Sequence, residues 1–585
     1  MSRTERAPFL CFAALILGFA ALIASGCATR SGGGGVIKGG KFPSQQELER
    51  IEGTPPPVAI FDQDLRRVDD WSVETEGPRR IEARSWTQRD AWGELLEAAI
   101  RETEGGVTPT RAMHCAASEF ARLALEQGGR PDTALHRFLI AACNASVANV
   151  SFRSLRGEVP ASRTDDEIFE AWRDQAFTMV RDEAAAPLGS VVGIAFVRHE
   201  GQAALYVARG RPLAAFEPVE TSLSLGEALE LRGRILGPAD SITAAINRGY
   251  YEAALCESIG DVSPPAFHFR CEPDMADESA WVSLSFAPPD RLLGKRALDV
   301  LVWTRGHSDR VFRRFDYTEA RPLVDPAEFS QTFLETLNEV RKRAGRRAVT
   351  LDPTQSETAT RVAPHYFAAV LGEGEETVAD LAALGLIAGW DVEGDIREGG
   401  FSSVAIPQTD DVAALVSGML EAPLTRMTIL DPDVERIALG PDQTLAGDIP
   451  VLATVVATYS LFSEGAKRAE AEALFARLTE ERRAHEQQAP ERLVRIWSDA
   501  MHSADEVRHG KDPNFALEDL MEDSVETLSL GVSGWYAETS EIEDFEFPED
   551  FLTTPRLGVA IGVSHRVAPD EAWGRYFVLI VSTGM

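Results

Sequence analysis

Apolar residues in this chain follow two rhythms, one near 3.6 residues and one of two, and the order in which they alternate recurs. Trp92, Leu95, Leu96 and Ala99 share one face at 3.6 residues per turn, and a second such stripe carries His114, Cys115, Phe120 and Leu123. The pattern then turns to a strand pair, Ser190 to Val197 and Ala203 to Ala208, joined through His199-Glu200-Gly201-Gln202. Helices followed by a hairpin predict an α+β unit. From Thr221 to Arg305 period-two alternation takes over, at Leu229-Leu231-Gly233-Ile235, Phe267-Phe269, Val282-Leu284-Phe286 and Leu298-Val300-Val302. Gly and Pro turns separate these runs, which predicts a β-sandwich.

Glu319 to Pro326 reads as a linker, and beyond it the helical rhythm returns twice. Phe333, Leu337 and Val340 form one stripe, His365 lies on the next helix, and a strand is expected at Val451 to Tyr459. Leu474, Phe475 and Leu478 open the third round, with His502 on its second helix and strands at Arg556 to Ser564 and Tyr576 to Ser582. The continuous apolar run Phe577 to Val581 reads as a buried central strand. From helix histidine to strand glycine the separations are 79 residues for His114 and Gly193, 75 for His365 and Gly440, and 56 for His502 and Gly558. Unequal loops account for the spread, so internal repetition is the expectation.

Composition adds an address. A basic start (Arg3, Arg6), an apolar run from Phe9 to Ile23 and the tetrapeptide Ala24-Ser25-Gly26-Cys27 resemble a bacterial lipoprotein signal. The run is short of the roughly 20 residues that span a bilayer. Cleavage before Cys27 would leave a lipidated cysteine, and Ala28 after it fits sorting to the outer membrane of a Gram-negative envelope. Residues 1–26 are thus expected to be a signal peptide. Residues 27–84, with Ser31-Gly32-Gly33-Gly34-Gly35 and Pro55-Pro56-Pro57, are expected to be a flexible tether with one short strand at Val58 to Phe61. A net charge of −34 argues against a nucleic-acid partner. Besides Cys11 and Cys27 four cysteines remain, which allow three pairings; local closure favours Cys115 with Cys143 and Cys256 with Cys271, against four free buried thiols.

The stretch Leu337-Asn338-Glu339-Val340-Arg341-Lys342-Arg343-Ala344-Gly345, then Val349-Thr350-Leu351-Asp352-Pro353 and the helix holding His365, resembles the opening of the CAP superfamily of cysteine-rich secretory and pathogenesis-related proteins. Ala422-Pro423-Leu424-Thr425-Arg426, Ile429-Leu430-Asp431-Pro432 and Arg436-Ile437-Ala438-Leu439-Gly440 are similar to its Ser-Pro-x-His-Arg, Leu-Asn-Pro and Ile-Gly-Val-Gly elements. The resemblance implies an α-β-α sandwich over about Phe329 to Phe462 and, in degenerate form, in the flanking rounds. The expected fold is therefore α+β: CAP-like domains at 85–212, 325–462 and 463–585, with an all-β, immunoglobulin-like sandwich at 213–310 inserted among them. The family cleft often holds two histidines and two glutamates. Here Thr425 stands for the second histidine, Ser417 lies near the helix glutamate, and Gly399 to Ile406 lacks Gly-Glu-Asn. No metal or other cofactor is expected, because hydroxyls make a poor zinc set.

His114, His365 and His502 are the candidate cleft residues, read first as core or boundary histidines that share a position through repetition. Serine-hydrolase and zinc-protease signatures are missing: Gly531-Val532-Ser533-Gly534 falls one residue short of an elbow, and His199-Glu200 and His485-Glu486 lack a second histidine. His502, Asp505 and His509 read as a solvated helix face, and the acidic run Glu538 to Asp550 as a loop whose phenylalanines dock on the core. No catalytic residue is assigned. The functional expectation is a non-enzymatic envelope lipoprotein, bound to the membrane through its lipid, offering a binding or scaffolding surface to an envelope protein or lipid. An envelope polymer or peptide hydrolase and a carrier of lipid or small ligands are the alternatives.

Overall fold

Three times along the chain an amphipathic helix, a two-residue strand, two further helices, an edge strand, a fourth helical segment and a hairpin follow one another. The computed structural model describes residues 42–584 except 57–64, 82–83, 104–105, 225, 274–278, 290, 292–293, 305–309, 372–373, 447–448, 463–464, 544 and 568–570. The signal peptide, Cys27 and the strand expected at Val58 to Phe61 lie outside the described residues.

Each round builds a four-stranded sheet. In the first, Thr108–Pro109, Val191–His199, Gln202–Gly210 and Val150–Glu158 lie side by side; in the second, Thr350–Leu351, Arg436–Ala446, Ile449–Leu461 and Ile396–Pro407; in the third, Glu491–Arg492, Leu557–Arg566, Arg575–Gly584 and Ser533–Thr539. Numbered in chain order, every sheet reads 1-3-4-2, with the short strand parallel to its neighbour and the other pairings antiparallel. In the middle sheet Ala438, Val455 and Ala457 pack with Tyr366 and Ile387 of helices Pro353–Val370 and Glu376–Ala388. Their neighbours Ile437, Leu439 and Val456 pack with Phe333, Leu337 and Leu415 of helices Phe329–Arg343 and Val412–Glu421. Period-two alternation thus gives the sheet two apolar faces, each covered by helices.

Two details tie the second and third rounds together residue by residue. Arg341 and Arg482, both fully buried, each stand nine residues before the short strand and near the end of the opening helix. Arg341 donates to the carbonyls of Arg347 (2.8 Å), Ile429 (2.7 Å) and Asp431 (3.0 Å); Arg482 donates to those of Gln488 (2.9 Å), Phe551 and Thr554 (2.7 Å). In both rounds one guanidinium closes its own loop and ties it to the end of the fourth helical segment, where carbonyls have no helical partner. Likewise Gly440 and Gly562 sit where a Cβ would lie 2.3 Å from the Ala359 carbonyl oxygen and 2.0 Å from that of Ala500. The glycine expected at Gly558 is therefore Gly562, since Gly558 pairs with Glu491 in the short parallel ladder.

Between the first and second rounds, strands of 214–304 form one five-stranded and one four-stranded sheet that share a core of Leu231, Ile246, Phe267, Val282 and Leu284. The disulfide Cys256–Cys271 holds the point where the chain passes from Glu252–Leu255 in one sheet to Glu257–Ser258 in the other. Cys115–Cys143 joins helix Arg111–Glu126 to the end of helix Thr133–Ala142. Both pairings are those favoured by local closure.

Of the segment expected to be a tether, the described stretches 42–56 and 65–81 make contacts with the rest of the chain. Ser44 caps the one-turn helix Gln45–Glu49, whose Leu48 is buried against Gly385, and the Trp390 indole donates to the Pro43 carbonyl at 2.8 Å. Leu65–Arg66, Asp70–Ser72 and Arg80–Ile81 pair with Arg130–Pro131, Val311–Arg313 and Val219–Glu220. Buried Trp71 and Ile81 explain why this stretch stays put despite its polar composition. The linker expected at Glu319 to Pro326 is also held, by a Pro322–Asp411 bridge and the Arg321–Glu339 ion pair at 2.7 Å.

Candidate functional site

The three candidate histidines do not converge. His114 lies four residues past the cap Thr110, His365 thirteen past Asp352 and His502 nine past Leu493, so they hold different helical positions in separate rounds. The His114 Nδ1 is 2.5 Å from the Ile194 carbonyl and its ring meets Trp86; burial depresses its pKa, and the carbonyl contact opposes that. His365 is half-buried, whereas the His502 side chain is 78% exposed beside Glu506, on the surface rather than in the core. His509 is also exposed, and Asp505 and Glu506 are engaged by Lys467 and Lys511. Among the described residues no group of three or more His, Cys, Asp or Glu is placed to hold a metal ion. The Glu538 to Asp550 run keeps Phe545 and Phe547 buried, with Phe551 just beyond it.

The cleft of the middle round is defined instead by arginines and hydroxyls. Thr425 is fully buried on the helix Pro423–Ile429, whose start at Pro423 breaks it from Val412–Glu421. On the facing edge strand, a Cβ at Gly400 would lie 2.6 Å from the Thr458 Oγ1 and 2.9 Å from the Thr428 Cγ2, so no acidic side chain fits there. Over this cleft lies the turn between strands Ser241–Arg248 and Glu252–Leu255 of the sandwich. Arg426 donates to the carbonyls of Gly249 (2.7 Å) and Glu252 (3.2 Å), and also to Leu420 O and the Tyr317 hydroxyl. Arg346 pairs with the Glu252 carboxylate at 2.7 Å. A cavity of about 170 Å³ remains beneath this roof, lined by Glu252, Ala253, Arg346, Gly400, Thr428 and Thr458 among others. Linear motifs singled out Thr425 but not the roof, because Glu252 and Arg346 meet only through tertiary packing.

A second polar junction lies beside it. Arg137 of the first round forms an ion pair with Asp299 of the sandwich at 2.7 Å, over the Trp281 ring, and donates to the Glu421 carbonyl of the middle round at 3.1 Å. Asn247 donates to that same carbonyl at 3.1 Å. Burial alone would raise the Asp299 carboxyl; Arg137, Arg296 and the Ser283 hydroxyl hold it below the usual carboxylate range. The Glu421 carboxyl goes the other way. Burial pushes it up to about 7, against Arg137, Arg314 and Arg426 and with Asp132 adding to the rise.

No family model matches the chain, and no curated protein matches it. Among solved structures it is similar to an outer surface protein from Borrelia burgdorferi, at 13% identity over 25% of this chain and 100% of that one, with a TM-score of 0.18. It is also similar to a cysteine-rich secretory protein from Staphylococcus aureus (11% identity, 42% of this chain and 83% of that one, TM-score 0.18). An extracellular protein containing an SCP domain from Bacillus anthracis matches at 11% identity over 43% of this chain and 86% of that one, with a TM-score of 0.16. Scores this low assign neither family nor activity.

Proposed function

We propose that this chain is a non-enzymatic lipoprotein of the cell envelope, anchored by a lipid on Cys27 to the outer membrane of a Gram-negative cell. Its three CAP-like units and one immunoglobulin-like sandwich act as a binding or scaffolding surface. The observation that carries this reading is the roofed cleft: where the resemblance expects an open pocket with imidazole and carboxylate donors, Arg426 and Arg346 are engaged by the chain's own sandwich turn. Two disulfides are in keeping with an oxidising compartment. Of the alternatives, ligand carriage is favoured over hydrolysis by the cavity under the roof, whose lining mixes polar groups such as Glu252, Arg346 and Thr458 with apolar ones such as Leu424, Met427 and Val434.

Fractionation tests the anchor. In a Gram-negative host the wild type is expected in the outer-membrane pellet and Cys27→Ser in the soluble periplasmic fraction; retention of the variant in the membrane would overturn lipid anchoring.

A further inference from the structure

Resting on that reading of a binding surface, we propose that the roofed cleft is a saccharide subsite: one neutral sugar residue occupies the cavity, and the next residue of the glycan lies on the aromatic pair at the tip of the roof. Charge balance comes first. The Glu252 carboxylate is matched by Arg346 at 2.7 Å, and Arg426 is engaged by three carbonyls and a phenol. Glu398 and Asp431 also line the cavity, so three carboxylates stand against two guanidinium groups, a set that offers an anion no surplus attraction while still bonding to groups that both donate and accept. Sugar hydroxyls are such groups. Thr458 adds a hydroxyl from the floor, Thr428 turns its methyl toward it, and Gly400 leaves the floor clear of a side chain.

Size agrees. At about 170 Å³ the cavity is comparable to a cavity of about 150 Å³ that holds one benzene ring, the scale of a single six-membered ring. The aromatic pair adds an exposed apolar face outside the cavity. Tyr250, next in the chain to the cavity-lining Tyr251, is 50% exposed, and its ring stacks at 4.0 Å on Phe315, itself 38% exposed. Phe315 in turn packs edge-on against buried Tyr317, whose hydroxyl accepts from Arg426. An exposed, rigidly backed aromatic face next to a pocket of mixed polar and apolar lining suits a ligand with an apolar C–H face and a hydroxylated rim.

The test is calorimetry of the full-length chain in detergent against cellobiose, lactose and maltose up to about 10 mM, sufficient for the millimolar affinity of a single subsite. The zwitterionic dipeptide Gly-Gly serves as the charged control. At least one disaccharide is expected to bind and the dipeptide not. Tyr250→Ala should weaken binding about tenfold, Tyr250→Trp should retain it, and Ala253→Phe, which fills the cavity from the roof, should abolish it with the melting profile unchanged. Absence of binding to all three sugars, preference for the dipeptide, or indifference to both Tyr250→Ala and Ala253→Phe would overturn the subsite. Such a result leaves the anchored scaffold standing, because that reading is decided by where Cys27→Ser fractionates.

Discussion

Arg482 shows how much one side chain can fix. Its guanidinium is fully buried yet forms no ion pair among the described residues; all of its hydrogen bonds run to backbone carbonyls at a loop and a helix end. The fork geometry of arginine reaches several carbonyls at once, which a lysine ammonium on a flexible stem does not reproduce. Arg482→Met leaves those carbonyls buried without donors at about 1–3 kcal/mol each, so the C-terminal unit should lose at least about 3 kcal/mol. Arg482→Lys is expected to recover only a fraction of that loss. Thermal unfolding followed by the near-ultraviolet signal of the tryptophans checks this. An unchanged first transition for Arg482→Met would show that water replaces the guanidinium. Ala99 occupies the corresponding place nine residues before Thr108, so the first round closes its loop without this device.

At the scale of elements, the long helices and hairpins were legible because each repeats its period several times: Phe333, Leu337 and Val340 are all buried on one helix, and Phe577 to Val581 run through an internal strand. The two-residue parallel strands were not, since so short a segment has no period. The region 42–81 looked like a tether because Gly, Pro and charge dominate it. A few apolar anchors, Leu48, Trp71 and Ile81, nevertheless dock its described stretches, 42–56 and 65–81, on other units. In the cleft Thr425 was singled out by the resemblance, whereas the roof depends on Glu252 and Arg346, 94 residues apart. Gly562 gives an element-scale test. A Cβ there would press on the Ala500 carbonyl and push helix Val494–Arg508 off the sheet, so Gly562→Ala should cost about 1–3 kcal/mol. Gly531→Ala, with open space around it, should be nearly neutral. Equal effects of the two in a melting experiment would contradict this close packing.

Across the whole molecule, the first round, the sandwich and the middle round meet at Glu421, whose carbonyl receives Arg137 and Asn247 and whose carboxyl lies within the influence of Arg137, Arg314, Arg426 and Asp132. A carboxyl held up to about 7, against an ordinary value of 4.5, binds its proton more tightly in the folded junction than in the unfolded chain. Its contribution is therefore fully present below about pH 4.5 and is lost as pH rises toward 7, the reverse of the usual carboxylate. His136 acts in the opposite sense. Burial, with Arg296 and Arg130, brings it down to about 3, so its neutral form favours folding at high pH and that advantage fades as pH falls below 6.5. Comparing wild type with Glu421→Gln at each pH cancels the His136 contribution and isolates the carboxyl. The variant should gain on the wild type between pH 4.5 and 7, by roughly 3 kcal/mol at most, and hold that gain above pH 7. A stability difference that is flat across that interval would mean that Glu421 ionises freely and that the junction tolerates its charge.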